Sequence, residues 1–166
     1  MFVLKFSVAG QDRVLHTFSR WTEGLSDFSP ALEDIADDFL KLEATQFSGE
    51  GKSGSGGWKA LSPDYAAWKA TNYPGAKILE RDGWMRDSLT VKDAPFQIRD
   101  ITATQAVLGT SVPYGVFHQL GTKRMPARPP IQLSESDKNR WGKLVHEWLY
   151  TMASRLAQCS TKRTLM

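Results

Sequence analysis

Three prolines in the second half of the segment 111–130 place the strongest constraint on how this chain can fold. Pro126, Pro129 and Pro130 fix their own φ angles and push each preceding residue toward an extended conformation. Neither a helix nor a central strand can therefore run through them. The first half of the segment is apolar. This order predicts a buried anchor followed by a stiff, cationic arm, which is typical of a clasp or docking arm and not of a catalytic loop.

The anchor and the arm can be assigned by residue. We predict that Tyr114, Phe117 and His118 form the buried anchor, and that residues 123–130 form the projecting arm. The candidate contact residues of the arm are Lys123, Arg124, Met125, Pro126, Arg128 and Pro129. Arg128 lies between two prolines, and its planar guanidinium offers five N–H donors. We therefore expect its replacement by alanine to damage docking and to leave the fold largely intact.

Two long amphipathic segments predict the main helices. Ser29 and Pro30 favour a helix start, and a capping-box-like sequence at 134–137 predicts another. The apolar positions of the first helix are Leu32, Ile35, Ala36, Phe39, Leu42 and Phe47. Those of the last helix are Trp141, Leu144, Val145, Trp148, Leu149, Met152 and Leu156. Both sets recur at helical spacing, so each helix presents one stripe to a core or a subunit interface.

Shorter elements complete the predicted fold. Short helices are expected at 62–73 and 83–89, and residues 114–120 favour either a helical turn or an irregular segment. Strands are expected at 96–99, 105–109 and 131–133, and an N-terminal hairpin is expected within 1–20. The pattern predicts an α+β fold. In it, an antiparallel sheet of about four or five strands is packed by a long helix of the N-terminal half and by a C-terminal helix.

The length of 166 residues fits a single domain, 1–166. Residues 48–57 are rich in Gly and Ser and are predicted to form a flexible loop. They contain Gly51-Lys52-Ser53, which resembles the end of a phosphate-binding loop, but Gln46 stands where that motif requires glycine. We therefore reject a nucleotide site there. Residues 159–166 are expected to fray.

Composition limits the partners and the cellular compartment that fit this chain. The formal net charge is +3, which by itself does not indicate nucleic-acid binding. The only cysteine, Cys159, excludes an internal disulfide and favours a reducing compartment. No stretch approaches the roughly 20 apolar residues that a membrane-spanning helix needs, and no basic region precedes the apolar start. We expect a protein that is used without export and without a membrane.

Residue types that carry chemistry are sparse. The three histidines, His16, His118 and His146, do not have the spacing of metal ligands. His118 lies among apolar residues, where a structural histidine is more common than a general base. The acidic residues Glu33, Asp34, Asp37 and Asp38 are interpreted as a solvated helix face near a positive helix end. We expect no enzyme activity, no metal and no cofactor, with an enzyme using His118 as the weakest alternative.

Nucleic-acid binding is the second class of function that the sequence leaves open. Lysines and arginines near the arm and on the last helix offer a basic face: Lys123, Arg124, Arg128, Lys138, Arg140 and Lys143. Acidic residues interleave with them, and no known DNA-reading motif is present. Ordinary surface charge is the simpler interpretation.

Several short motifs occur in an order that resembles the phage virion morphogenesis family. They are Gly57-Trp58-x-x-Leu61, Ile78-Leu79, Asp82-Gly83, Asp87-Ser88-Leu89, Gly109-Thr110, Pro113-Tyr114-Gly115, His118-Gln119-x-Gly121 and Met125-Pro126-Ala127-Arg128-Pro129. The resemblance covers roughly residues 25–145. The family includes tail completion proteins of the S type and the G-type proteins of Mu-like phages.

The resemblance implies a non-enzymatic virion protein that acts in tail completion or head–tail joining through protein–protein contacts. Implied partners are a tail tube, a tail terminator or a head–tail connector, together with further copies of the chain in a ring. The implied location is the tail or neck of the virion, after assembly in the host cytoplasm. The alternative is a basic connector component of the phage neck that contacts DNA.

Overall fold

The computed structural model of the protein describes residues 26–162, and for 54–55 and 156–162 it describes the backbone alone. The predicted N-terminal hairpin at 1–20 and residues 163–166 lie outside the described residues. The helices are α1 (Ser29–Ser48), α2 (Lys52–Ser55), α3 (Pro63–Asn72), α4 (Trp84–Thr90), α5 (Gly115–Leu120) and α6 (Glu135–Lys162). The strands are β1 (Gln97–Ile101) and β2 (Ala106–Thr110).

Helix α1 supplies the central face of the core. Its buried apolar residues are Ala31, Ile35, Ala36, Phe39 and Phe47. Their spacing confirms the predicted stripe, although Leu32 and Leu42 are only half-buried. Ser29 is the first residue of the helix and not its cap, because Phe28 takes the capping position and donates its N–H to Ala103 O at 2.7 Å. This bond ties the start of α1 to the hairpin loop.

The core gathers around α1 from segments that are distant in the sequence. Its buried cluster comprises Phe39, Phe47, Trp58, Met85, Leu89 and Val112. The rings of Phe47 and Trp58 meet edge to face with centroids 5.3 Å apart. Gly51 has a φ of +82°, and a Cβ there would lie 2.4 Å from the Trp58 ring, so only glycine allows the indole this close. Part of the predicted 48–57 loop thus forms a turn and the short helix α2 against the core; its flexibility stays a prediction.

The sheet is smaller than predicted. Strands β1 and β2 form an antiparallel pair with Arg99 opposite Leu108, and they are the only two sheet strands among residues 26–162, so four or five strands are not supported there. The strand expected at 131–133 is absent from the described sheet. The Gln119 side chain instead takes both backbone groups of Ile131, donating from Nε2 to O at 2.9 Å and accepting the N–H at 3.3 Å. Those are the groups that a strand needs for pairing.

Ion pairs fasten α1 to the sheet and to α6. Arg99 of β1 pairs with Glu33 and with Asp37, whose Oδ1 lies 2.8 Å from Nη2. Asp38 pairs with Arg140 of α6 at 2.8 Å. The four acidic residues in the first half of α1 are therefore not simply a solvated face. Three of them, Glu33, Asp37 and Asp38, form ion pairs with β1 or α6.

Helix α6 starts where the sequence predicted. The Ser134 hydroxyl donates to Asp137 Oδ2 at 2.6 Å, and the Asp137 N–H donates back to the Ser134 hydroxyl at 3.2 Å, which confirms the capping box. Further along, the rings of Trp148 and Phe28 lie 5.1 Å apart. The helix continues to Lys162, and the expected fraying of residues 159–166 stays a prediction. Between residues 26 and 162, no helix has both the length and the hydropathy that a bilayer span requires.

Candidate functional site

Four segments enclose a cleft of about 490 Å³ beside α5. Its walls come from α3, residues 79–82, α5 with the preceding Tyr114, and residues 124–128. The lining side chains are Leu61, Ser62, Tyr65, Lys69, Leu79, Glu80, Arg81, Asp82, Tyr114, His118, Arg124, Met125, Pro126 and Arg128. The cleft thus brings together six of the nine site residues that the sequence predicted.

Leu79 gives the cleft a strained wall. Its φ of +62° lies in the left-handed region, which costs a residue with a Cβ about 1–2 kcal/mol. The half-buried Leu79 side chain packs against the core, and this contact holds the backbone in place. Non-glycine residues persist in such conformations only where the surrounding structure determines them, and they concentrate at functional sites. The wall is therefore rigid.

Arg128 lies inside the protein and not on a projecting arm. Only 5% of the residue is exposed. Its Nε donates to Lys59 O at 2.6 Å and its Nη2 donates to Ala60 O at 2.8 Å. Desolvation by burial lowers the pKa of the guanidinium. Because the side chain satisfies two backbone carbonyls of a distant segment, replacement of Arg128 is expected to harm the fold, contrary to the sequence-based expectation. A contact between Arg128 and a partner stays a prediction.

The rest of the predicted arm also folds back. The Arg128 N–H donates to His118 O at 2.8 Å, and Trp58 Nε1 donates to Pro129 O at 2.9 Å. Pro129 is half-buried and Pro130 is buried, so residues 128–130 pack against the protein, with Arg128 lining the cleft. The prolines stiffen the chain as predicted, but they direct it along the protein surface and not away from it.

Residues 122–127 form a compact turn, here called the rim loop. Thr122 N–H donates to Met125 O at 2.8 Å, and Met125 N–H donates to Thr122 O at 3.3 Å. The preceding Gly121 has a φ of +75°, and a Cβ there would lie 2.7 Å from Ala127 N. Glycine is thus required at the base of the rim loop. Lys123, Arg124 and Pro126 are exposed on this loop and Met125 is half-buried, which leaves all four accessible as predicted contact residues.

The three residues of the predicted anchor do not all face the cleft. Tyr114 and His118 are four residues apart and face the cleft, where their rings meet edge to face at 6.0 Å. Phe117 is 55% exposed, so its assignment to a buried anchor is wrong. The physical reason is that Phe117 lies about 100° around the helix from His118, which leaves its ring at the edge of the cleft-facing side and outside the cleft.

The outward side of α5 is an exposed apolar surface. Val116 is 52% exposed, Phe117 is 55% exposed and Leu120 is 75% exposed. We call these three residues the α5 face. Exposed apolar side chains that are adjacent on a rigid element mark interaction surfaces more often than isolated ones do. Sequence reasoning missed this surface because the same three residues fit a buried stripe equally well.

The electrostatic environment of His118 favours the neutral imidazole, as is common for a structural histidine. Burial lowers its pKa, and the positive charge of Arg128 lowers it further. Its Nδ1 is buried without a hydrogen-bond partner among residues 26–162. No group there orients the ring in the way that a catalytic base is usually oriented. The same part of the chain contains no cluster of three or more His, Cys, Asp or Glu side chains that could hold a metal.

The predicted basic face is partly neutralised. Arg140 pairs with Asp38 at 2.8 Å and with Asp137 at 2.9 Å, and Lys138 pairs with Glu135 at 2.6 Å. These two cations are committed to contacts within and beside α6.

Lys69 is one of the eight cleft residues that sequence reasoning missed, and it is the most deeply buried cation among them. It lies within α3, is 5% exposed and donates its ammonium to Lys77 O. Desolvation lowers its pKa. A lysine between Trp68 and Ala70 in a helix gives no sign that it will be buried, so only the tertiary structure reveals it.

Comparison with known proteins identifies the family. No curated protein and no solved structure matches the chain. The model of the phage virion morphogenesis family matches residues 10–150, and this confirms the resemblance that the order of motifs predicted. Because the match spans well over half of the 166 residues, the chain belongs to the phage virion morphogenesis family.

Proposed function

We propose that this protein is a non-enzymatic virion subunit that acts in tail completion or head–tail joining by contacting other proteins. Membership of the family indicates a role in phage assembly. The observation that carries the finer proposal is the α5 face, an exposed apolar surface beside a rigid cleft and rim loop.

The construction of this region favours docking. Helix α5 is fixed by its cleft-facing side and by the Arg128 N–H bond to His118 O, while its opposite side presents apolar area. The rim loop is closed by two backbone hydrogen bonds between Thr122 and Met125. A surface that is ordered before it binds loses little conformational entropy on binding. Burial of the α5 face then contributes about 25 cal/mol for each Å² removed from water.

The proposed partners are proteins of the tail and neck: a tail tube, a tail terminator or a head–tail connector. Copies of this chain are proposed to form a ring at that position in the virion, after assembly in the host cytoplasm. A ring requires heterologous contacts, in which two different surfaces of the subunit meet. The α5 face is proposed as one of those surfaces.

The proposal is tested by removing apolar area from the α5 face. Leu120→Ser is compared with Tyr150→Ser on α6, because the two residues have matched exposures of 75% and 72%. Each variant is supplied in trans to a phage that lacks the gene. We expect Leu120→Ser, and likewise Phe117→Ser, to lower the yield of infectious particles about tenfold or more, as loss of a central apolar contact does.

Electron microscopy then shows where assembly stops. Accumulation of unjoined heads and tails with Leu120→Ser, and normal particles with Tyr150→Ser, support the proposal. Equal yields from Leu120→Ser, Phe117→Ser and the unaltered protein contradict it. Normal yields from these two together with loss of particles from a Lys123→Glu, Lys143→Glu double variant, whose residues are exposed and lie outside the cleft, favour the DNA-contacting connector instead.

A further inference from the structure

The cleft beside α5 is lined by more cationic than acidic side chains. Its lining includes four cations, Lys69, Arg81, Arg124 and Arg128, but only two acids, Glu80 and Asp82. His118 adds no charge near neutral pH, since burial and Arg128 keep its pKa low.

Both acids of the lining are already paired with arginines. Asp82 Oδ2 accepts from Arg81 Nε at 3.0 Å and from Arg81 Nη2 at 2.7 Å. Glu80 Oε2 lies 3.3 Å from Arg86 Nη1, outside the cleft lining. Neither carboxylate therefore forms an ion pair with the cations that remain, although the charge of Glu80 acts on Lys69 at longer range.

The remaining cations of the lining are Lys69, Arg124 and Arg128. Among the described residues, their side-chain nitrogens contact only backbone carbonyl oxygens or solvent. Arg128 donates to Lys59 O and Ala60 O, and Lys69 donates to Lys77 O. Within residues 26–162, no carboxylate forms an ion pair with Lys69, Arg124 or Arg128. Lys69 and Arg128 are each 5% exposed. No carboxylate charge of the described residues acts on Arg128, and those of Glu80 and Glu50 act on Lys69 only from beyond ion-pair distance. Such cations are costly to bury unless an anion joins them.

We propose that the cleft binds an acidic segment of a partner protein, with a carboxylate placed between Lys69, Arg124 and Arg128. This inference rests on the proposed function, and it specifies the chemistry of the partner. The carboxylate accepts from an ammonium with three donors and from guanidinium groups with five each, more than the carbonyl bonds use. The segment's neighbouring apolar side chain packs on Leu79, Tyr114 and Met125, which line the same space.

A peptide suits this cleft better than a nucleic acid does. The volume of about 490 Å³ suits a few side chains of a short segment, and two of the cations lie within the protein and not along an open groove. A duplex presents its phosphates on a wide, rigid surface and is read by exposed lysines and arginines. A carboxylate on a flexible side chain can enter where a duplex phosphate cannot.

The test uses the purified full chain and short labelled peptides. The probe is a fluorescein-labelled hexapeptide of two glutamates, one leucine and three glycines with both ends blocked. The control peptide has glutamine in place of each glutamate. Fluorescence anisotropy at low salt should show binding of the glutamate peptide that is at least about tenfold tighter than binding of the glutamine peptide. Equal binding of both peptides overturns the proposal.

Arg124 and Lys123 provide a matched pair of variants. Both are exposed on the rim loop, but only Arg124 lines the cleft. Arg124→Glu and Lys123→Glu change the net charge equally. We expect binding to weaken at least about fivefold in Arg124→Glu and less than about twofold in Lys123→Glu. If both variants lose the same affinity for the peptide, the protein attracts it only through long-range electrostatics. That result overturns the proposed binding site in the cleft.

His118 reports whether the cleft is occupied. The sequence has three histidines, so their ring signals are readily separated by nuclear magnetic resonance. A bound carboxylate should shift the ring signals of His118 and raise its pKa, and it should leave the exposed His146 unchanged. A single-stranded oligonucleotide that shifts His118 in place of the peptide shows a nucleic-acid site and overturns the proposal.

Failure of this proposal is distinct from failure of the proposed function. If the protein does not bind the peptide but the α5-face variants still lower the particle yield, the proposal of an acidic partner fails and the proposed assembly function stands. Loss of peptide binding in Arg124→Glu with a normal particle yield shows that the cleft binds acids for a purpose other than assembly.

Discussion

At the scale of single residues, Arg128 and Glu43 show two ways of burying a charged residue type. The Arg128 guanidinium meets two carbonyl oxygens at 2.6 and 2.8 Å. Glu43 is 0% exposed, and neither of its carboxyl oxygens has a hydrogen-bond partner within the described residues. The first residue therefore stabilises the fold in its charged form, whereas the second is tolerated only as the neutral acid.

Arg128→Ala should destabilise the protein by about 2–4 kcal/mol. The change leaves Lys59 O and Ala60 O without their charged donor, and hydrogen bonds to charged groups contribute more than neutral ones do. Urea unfolding followed by circular dichroism measures the loss. Arg124→Ala, exposed on the rim loop, is the control and should change stability by less than about 0.5 kcal/mol. Equal stabilities of the two variants would show that Arg128 does not clamp residues 59–60.

Glu43→Gln should reduce the dependence of stability on pH. Burial, together with the charge of Asp137, raises the pKa of Glu43 to about 8 from an ordinary value of 4.5. Between these values the unfolded chain releases the proton that the folded chain keeps. The free energy of unfolding therefore falls as pH rises, by an amount on the order of 3–4 kcal/mol between pH 5 and pH 8. Glutamine has no proton to release.

Urea unfolding at pH 5 and at pH 8 tests this difference. His118 acts in the opposite direction, because its lowered pKa makes stability fall as pH falls below 6.5. Since His118 contributes equally to both proteins, the comparison of Glu43→Gln with the unaltered chain isolates Glu43. Identical pH dependence in the two proteins would contradict a raised pKa at Glu43.

At the scale of elements, one carboxylate joins the two long helices. Asp38 Oδ2 of α1 accepts from Arg140 Nη2 at 2.8 Å and from Trp141 Nε1 at 2.7 Å, both on α6. The Phe28–Trp148 ring contact lies farther along the same pair of helices. Because Trp148 is half-buried, α6 depends on these specific contacts more than on a wide buried stripe.

Asp38→Ala should destabilise the pairing of α1 and α6 by about 1–3 kcal/mol, because charge-assisted hydrogen bonds to two α6 side chains are lost. Asp34→Ala is the matched control, since Asp34 is exposed on the same helix. Thermal unfolding of the two variants measures the difference. A loss in Asp34→Ala as large as that in Asp38→Ala would mean that helix propensity, and not the contact with α6, accounts for the effect.

At the scale of the whole molecule, the α5 face is too small to hold a stable oligomer by itself. Three exposed apolar side chains fall well short of the roughly 800 Å² per partner that a standard interface buries. Attachment of several subunits to one tail raises their effective concentration and makes a weak contact sufficient. The proposed ring is therefore expected to depend on the tail.

Mass measurement provides the test at this scale. The purified chain should behave as a single subunit of 18.6 kDa at micromolar concentration. On purified tail tubes we expect several copies bound per tube end, and we expect Leu120→Ser to bind with lower occupancy. A stable ring in the absence of tails would contradict dependence on the tail.

The sequence by itself determined the elements whose signals are local. The apolar spacing of α1 and α6, the Ser134–Asp137 cap and the β1–β2 hairpin were all predicted, because each depends on residues close together in the chain. The motif order also predicted the family. In contrast, the interpretation of 131–133 as a strand was wrong, since a side chain, Gln119, binds the backbone that a strand would use.

Only the tertiary structure decided how the proline-rich segment is used. Arg128 satisfies carbonyls 68 and 69 residues earlier in the chain, and no local pattern encodes a partner at that distance. The direction of Phe117 and the burial of Lys69 depend likewise on which elements pack nearby. The prolines restrict the backbone to extended conformations, but long-range hydrogen bonds determine that the segment closes a cleft and does not project as an arm.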